Sequence, residues 1–378
     1  MKKFTDVVDF VGGKPVLFEG TKPYVSTGAL KNTTISREDI ELVEFINRPS
    51  RADLEVKKGD ILFAKMAFTD KRILIDNDTS NYIYSTGFFA VRAKPNIITT
   101  ECLYYLLNSK TFKDQKDANS TGATQKAITN SGLKKIYLRI PNYNNQKEIA
   151  EILSNIEKII SFKERQLKEY DQLIKSRFVE MFGDPIKNEK KWNVNTLNVV
   201  CDVRDGTHDS PKYVDEGYPF ITSKNITNNG IDFSTAQFIN ENDYLKINQR
   251  SRVDNGDILM PMIGTVGGAI IVKKDRDFAI KNVALIKFNT KKVLNEFIKH
   301  ILNSDAMNFH FDDLKKGGTQ KFIGLKTIRN LRIITPSIEL QSDFAKFVQQ
   351  VDKLKFKLQK SVDEAQLLFD SLLQKYFG

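Results

Sequence analysis

Thr124-Gln125-Lys126 and Thr319-Gln320-Lys321 are the same trio, 195 residues apart, each in a polar loop that follows a glycine. Glutamine can hydrogen-bond adenine bidentately, and lysine can reach guanine or a phosphate, so the trio suits contact with DNA. Its identity in both places fits a scaffolding or phosphate-binding turn equally well, because residues that read different bases should differ. Thr207, His208 and Lys212 form another polar loop, and Ser223-Lys224-Asn225 follows a stretch that reads as a strand. Both suit groove or backbone contact, with ordinary polar caps as the plain alternative. Lys65, Lys71 and Arg72 are the basic candidates of the first half, or simply a solvated face. None of these groups forms a catalytic constellation. His208, His300 and His310 are scattered, and neither a glycine-rich loop ending in Lys-Ser/Thr nor an Asn/Asp-Pro-Pro-aromatic methyltransferase signature is found. Gly264 to Gly268 reads as a tight hairpin, since no acidic residue stands where a dinucleotide site needs one. Cys102 and Cys201 are isolated, so no disulfide framework or zinc site is expected, and a reducing cytoplasm fits. No catalytic residue and no metal site is predicted.

The charge balance points the same way as these loops. The chain has 378 residues and a net charge of +11, which favours an acidic partner, nucleic acid first. Residues 1–183 contribute +6 and residues 184–378 contribute +5, so both halves suit the same polyanion. The opening MKKFTDVVDF has no apolar run after its lysines, and no stretch of about 18 apolar residues occurs, so no membrane partner is expected.

The elements that must position these loops are also duplicated. Gln146 to Gly183 and Gln341 to Gly378 both open on Gln, carry Ala in fifth place and close on Phe-Gly. In the first copy apolar residues fall four and three apart through Ile149, Leu153, Ile156 and Ile160 to Ile174 and Met181. In the second they run from Phe344, Val348 and Val351 to Phe369, Leu372 and Tyr376. This is the 3.5-residue period of a two-helix seam, interrupted by Lys163, Arg177 and Lys355. Neither copy holds a proline or an internal glycine, so each predicts a helix of roughly 50 Å at about 1.5 Å per residue. The globular halves repeat as well: Gly59-Asp60-Ile61-Leu62 answers Gly256-Asp257-Ile258-Leu259, Leu107-Asn108-Ser109 answers Leu302-Asn303-Ser304, and Pro141 answers Pro336. The predicted architecture is α+β. Two similar α/β domains (1–145 and 184–340) are separated by two long antiparallel coiled-coil helices (146–183 and 341–378), related by a pseudo-twofold axis. Gly183-Asp184-Pro185 and the run to Lys191 read as a polar hinge. Basic domains held tens of Å apart would touch two duplex half-sites, and divergent domains should read different ones.

With these residues in view, the chain resembles the specificity subunits of type I restriction–modification systems. The resemblance rests on the repeated helices, the Pro-x-x-x-x-Gln lead into each (Pro141 to Gln146, Pro336 to Gln341) and Asp205-Gly206-Thr207-His208-Asp209-Ser210-Pro211-Lys212-Tyr213. Pro219-Phe220-Ile221-Thr222-Ser223-Lys224-Asn225-Ile226 and Gly264-Thr265-Val266-Gly267 add to it. The first half departs from the pattern: Gly12-Gly13-Lys14-Pro15 lacks the Thr-His, and Ala67-Phe68-Thr69-Asp70 replaces the glycine-rich turn. The resemblance implies two target-recognition domains that bind double-stranded DNA at a bipartite, asymmetric site. It also implies a non-catalytic subunit that joins two methyltransferase subunits and, in the endonuclease, restriction subunits. No cofactor would sit in this chain; S-adenosylmethionine, ATP and magnesium would belong to the partners. A fragment of a fused methyltransferase–nuclease and a non-DNA coiled-coil scaffold are the alternatives.

Overall fold

A computed structural model of the chain describes residues 1–227, 230–263, 268–315 and 322–378. It divides into two units, Met1–Arg165 with Gln359–Gly378, and Gln166–Leu358. Each unit holds one globular half and part of each long helix.

In the first unit the central strand is Ile61–Ala64, four successive buried residues. An unbroken apolar run belongs to a strand covered on both faces. Ile61 and Phe63 join a core with Cys102, Leu103 and Leu106 of the helix Thr100–Leu106, while Leu62 and Ala64 join a core with Val25 and Tyr84. The strand lies in an antiparallel sheet ordered Val8–Val11, Phe88–Ala93, Ile61–Ala64, Arg72–Leu74. A second sheet is ordered Glu41–Glu44, Thr21–Val25, Ile83–Ser85, Ala52–Leu54, and in it Tyr24 and Ile83 pair in parallel.

The second unit repeats this plan. Ile258 and Met260 of the strand Ile258–Pro261 face a core with Phe297 and Ile301, while Leu259 faces Ile221 and Ile280. Its first sheet is ordered Asp202–Asp205, Val283–Lys287, Ile258–Pro261, Ile270–Ile271. In the second sheet Phe220 and Ala279 pair in parallel, as Tyr24 and Ile83 do in the first unit. The units differ at the rim of that sheet, where the helix Glu241–Ser251 packs only in the second.

Both long helices are continuous, Tyr143–Phe182 and Ile338–Phe377. They begin before Gln146 and Gln341 because Asn142 and Ser337, just after the prolines, turn the chain into the first turn. Asn142 accepts from the Asn144 amide at 3.1 Å and Ser337 from the Leu340 amide at 3.4 Å. Gln146 and Gln341 are fully buried. The Gln146 Oε1 accepts from the Thr99 amide (2.8 Å), and its Nε2 donates to the Ile97 and Pro141 carbonyls (3.0 Å each). The Gln341 amide does the same with Leu294, Lys292 and Pro336, at 2.9, 3.2 and 2.9 Å. A glutamine offers both an acceptor and two donors, which is what this junction requires.

Within the first unit, Ile149, Ala150 and Leu153 share a core with Phe369, Leu373 and Phe377; within the second, Ile174, Phe178 and Phe182 share one with Phe344, Val348 and Val351. The predicted seam departs at its ends. The buried residues there are Ile174, Phe178, Phe182 and Phe369, Leu373, Phe377, four apart, rather than Arg177, Met181, Leu372 and Tyr376. A straight helix drifts from the 3.5 repeat, and here the drift turns aromatic rings into the domain core. Lys163 and Lys355, which interrupt the seam, reach across to Ser361 and Asp171 respectively. Arg177 instead pairs with Glu180 on its own helix at 2.8 Å.

The hinge is an ordered cap. Gly183 takes φ +76°, Lys190 Nζ donates to the Glu180 and Met181 carbonyls, and Trp192 Nε1 donates to Phe182 O at 2.9 Å. These bonds satisfy carbonyls that a helix C-terminus otherwise leaves open. A helix that the sequence did not suggest, Lys110–Ala118, follows Ser109, whose Oγ accepts from the Phe112 amide at 3.2 Å.

Candidate nucleic-acid interface

In the second unit the parallel pair ends at Ile221 and Ile280, and the chain leaves both strands on the same side. Gly206 packs against that end; a Cβ there would lie 2.4 Å from the Ile280 carbonyl oxygen, so only glycine lets the Thr207 loop close. The Thr207 amide then donates to Ile280 O (3.1 Å), and the Asn282 amide donates to Thr207 O (3.2 Å). Asn282 adopts φ +54°, a left-handed turn that asparagine tolerates. Its Oδ1 lies 2.6 Å from His208 Nδ1, while His208 Nε2 lies 3.1 Å from Asp205 Oδ2. Asp205 is buried and also pairs with Arg250. Both imidazole nitrogens are thus occupied, which leaves none to activate a hydroxyl as a catalytic triad would. The result is a fixed, exposed imidazole edge. Ser223 Oγ lies 3.4 Å from Asn282 O, and Lys281 contacts Ser210. Lys212 and Lys224 are exposed beside them in sequence. Asn225, by contrast, is buried: it caps the turn through Thr222 and donates to Asp232 O and Thr235 Oγ1, both at 3.2 Å.

The same end of the first unit carries different side chains. Thr27 stands where Ser223 stands, and Ser85-Thr86-Gly87, one residue longer, spans the place of Lys281-Asn282. Lys65 Nζ donates to Thr86 O (2.7 Å) and lies 4.6 Å over the Phe89 ring; Lys71 Nζ donates to Thr27 O (2.5 Å). Burial holds both ammonium groups below their ordinary proton affinity, and Lys31 adds repulsion at Lys71. Thr124, Gln125 and Lys126 are exposed on a loop closed by Thr121 and Ala127. That loop is strapped to the Lys65 hairpin by Ala67 N to Lys126 O (2.9 Å) and Ile128 N to Lys65 O (2.8 Å). Lys65, Lys71 and the Thr124–Lys126 loop are therefore brought together.

Arg72 is a correction. It is 4% exposed, paired with Asp70 at 3.0 Å, hydrogen-bonded to Asn108 at 2.9 Å and set 4.7 Å from the Tyr104 ring. Its guanidinium is turned into the unit, so it leaves the set of candidate DNA contacts, as does buried Asn225. Thr319, Gln320, Lys321 and Gly264-Thr265-Val266-Gly267 lie outside the described residues. Their described flanks repeat the first unit: Ile263 bridges Phe322 as Met66 bridges Ala127, and Ile323 N donates to Met262 O at 3.0 Å. Lys281 and Asn282 were missed in the sequence, where only a non-glycine turn before an apolar run marks them. Among the described residues no group of three or more His, Cys, Asp or Glu could hold a metal ion. No helix among them is long and apolar enough to cross a membrane.

Comparison with known proteins adds a lineage to this geometry. The family model for the type I restriction modification DNA specificity domain matches twice, over residues 2–170 and 189–367. The chain is 23% identical to the specificity subunit of the type I restriction enzyme MjaVIII of Methanocaldococcus jannaschii, over 97% of this chain and 90% of that one. It is 29% identical to the HindI specificity subunit of Haemophilus influenzae over 43% of its own length and 35% of the relative's. Its fold is similar to a chain from a structure of type I R-M system assembly and conformational transition (TM-score 0.60, 19% identity, 99% and 96% covered). It is also similar to the type I restriction–modification S subunit of M. genitalium (TM-score 0.55, 16% identity, 100% and 95% covered).

Proposed function

This chain belongs to the type I restriction–modification DNA specificity family, and from that premise we propose that it reads a bipartite, asymmetric duplex DNA target, one half-site per unit. The observation that carries this reading is the shared sheet end: both units gather polar and basic side chains there, largely from different positions of a common scaffold, Lys65 for example standing where the second unit has buried Met262. A common backbone with divergent tips suits a common polyanion with two different base sequences. In the first unit the contacting set is Lys65, Lys71, Thr124, Gln125 and Lys126. In the second it is Thr207, His208, Lys212, Ser223 and Lys224, joined by Lys281 and Asn282, with Thr319, Gln320 and Lys321 assigned by repeat alone.

The subunit itself is non-catalytic. It positions two methyltransferase subunits and, in the endonuclease, restriction subunits, which carry S-adenosylmethionine, ATP and magnesium. The two long helices act as an antiparallel spacer between the half-sites. A reducing, cytoplasmic setting suits its two buried thiols, which burial pushes up to about 12. Binding of the full chain to a duplex library across a salt series tests the reading. The expected result is sequence-selective binding whose logarithm falls steeply with log salt. Weak, salt-insensitive binding would sink it. Removing one heptad from each helix should shorten the spacer by about 10 Å, close to three base pairs. An active complex with unchanged half-site spacing would show that the helices are not the ruler.

A further inference from the structure

Phe68 is the most exposed aromatic of the first unit among the described residues. It is 78% exposed, at the tip of the hairpin that carries Lys65 and Lys71, with φ +57°. A bulky side chain is a marked outlier in the left-handed region, and glycine or asparagine would sit there with less strain. The strain is held in place from several sides. The Phe68 amide donates to Asp117 Oδ1 (3.0 Å), and Thr69 Oγ1 donates to Met66 O (2.8 Å). Buried Lys116 donates to both Met66 O (3.2 Å) and Thr69 O (2.9 Å), closing the turn from inside. A charged side chain is thus buried to fix a turn that holds a phenyl ring outward.

The surroundings of the ring indicate its partner. Lys65, Lys71, Gln125 and Lys126 lie on the same hairpin and the loop strapped to it. The nearby acids are already engaged, Asp70 by Arg72 and Lys113, and Asp117 by the Phe68 amide. In the second unit Ile263 and Phe322, which stand where Met66 and Ala127 stand in the first, are also exposed and apolar. An exposed apolar group on the same hairpin and strapped loop as several lysines suits a duplex, where lysines meet phosphates and apolar side chains meet thymine methyls or base steps.

Resting on the DNA-reading function above, we propose that Phe68 is a base-contacting specificity residue of the first unit. It supplies apolar contact to the bases while the lysines around it supply sequence-independent affinity. This separates the two kinds of contact by salt. Phe68→Gly should weaken binding to the methylated target sequence on the order of tenfold, without changing the slope of log affinity against log salt. Binding to a scrambled duplex should stay the same, and the thermal midpoint should hold or rise, because glycine relieves the turn. Phe68→Leu should lose less than Phe68→Gly.

The experiment compares these variants in the full complex with methyltransferase subunits, on a duplex carrying the sequence found methylated in cells that contain it. A parent complex that fails to prefer this duplex over a scrambled one would overturn the DNA-reading function and the proposal with it. A selective parent with an unchanged Phe68→Gly variant would overturn the role of Phe68 alone. Equal losses on both duplexes, or a lowered thermal midpoint with general loss of binding, would overturn it too, since Phe68 would then be a fold or affinity element.

Discussion

The two units share a scaffold and part company at the same sheet end. In the first, Lys65 and Lys71 fold their ammonium groups back onto the Thr86 and Thr27 carbonyls, so the cations help to build the end they decorate. In the second, Gly206, Asn282 and the Asp205–His208 pair build it, and the lysines project outward. One end is tied by two lysines on carbonyls, the other by backbone turns and the Asp205 carboxylate shared between His208 and Arg250. Equivalent strands therefore support different chemistries: the Thr-Gln-Lys trio aside, what is common to the units concerns folding, and what differs is proposed to concern reading. The glutamines belong to the first class: Gln146 and Gln341 make the same three bonds in both units.

The largest effect expected from this comparison is at those glutamines. Leucine in place of either strands one amide and two carbonyls, at about 1–3 kcal/mol for each group that stays dry. Gln146→Leu and Gln341→Leu should each cost about 3–5 kcal/mol in urea unfolding, allowing for partial rehydration. A neutral result in one unit alone would break the symmetry of the scaffold. Next come the residues proposed to contact DNA. His208→Ala should relax discrimination in one half-site by about 1–3 kcal/mol and leave the other untouched. Lys281→Met should lower the salt slope by about one with little change in stability. Lys65→Met should also cost about 1 kcal/mol of stability, since it frees the Thr86 carbonyl. Equal stability losses at the two lysines would erase the proposed contrast.

The smallest effect concerns acid. Position 300 holds a histidine where the first unit has Tyr105, which donates to Glu157 at 2.9 Å. Burial against Phe178 and Phe344 holds His300 below its ordinary value, with Glu296, Lys299 and Asp352 as the charges around it. The folded state thus binds fewer protons than the unfolded chain. Stability should fall as pH drops below about 6.5, the unfolded value. Burial raises the Glu296 carboxyl, but His300 and Lys299 more than offset it and hold it at about 2. Its contribution is complete above 4.5 and is lost as pH falls towards 2. His300→Tyr should flatten the melting-temperature profile between pH 6.5 and 5 for the second unit. An unchanged profile would place the acid sensitivity elsewhere.

Much of this was legible in the sequence because it is periodic or repeated. The long helices, the duplicated halves and the Gln positions follow from apolar spacing and a fixed offset. The helix Lys110–Ala118 was not legible, since its buried residues are only Phe112 and Lys116 and the latter reads as surface. Arg72 read as a basic loop residue for the same reason in reverse. Its partners Asp70, Asn108 and Tyr104 come together only in the fold, and spacing cannot report them. Lys281 and Asn282 escaped notice because their role comes from Thr207 and Ser223, far away in the chain. The 3.5-residue period does not hold to the end of each helix, where the straight-helix drift takes over at Phe182 and Phe377.

The central claim is that each unit reads its own half-site. Exchange of residues 184–340 for the matching domain of another family member, followed by mapping of methylated bases in cells, tests it most directly. One half of the methylated sequence should change and the other should persist at the same spacing. A change in both halves would contradict the claim.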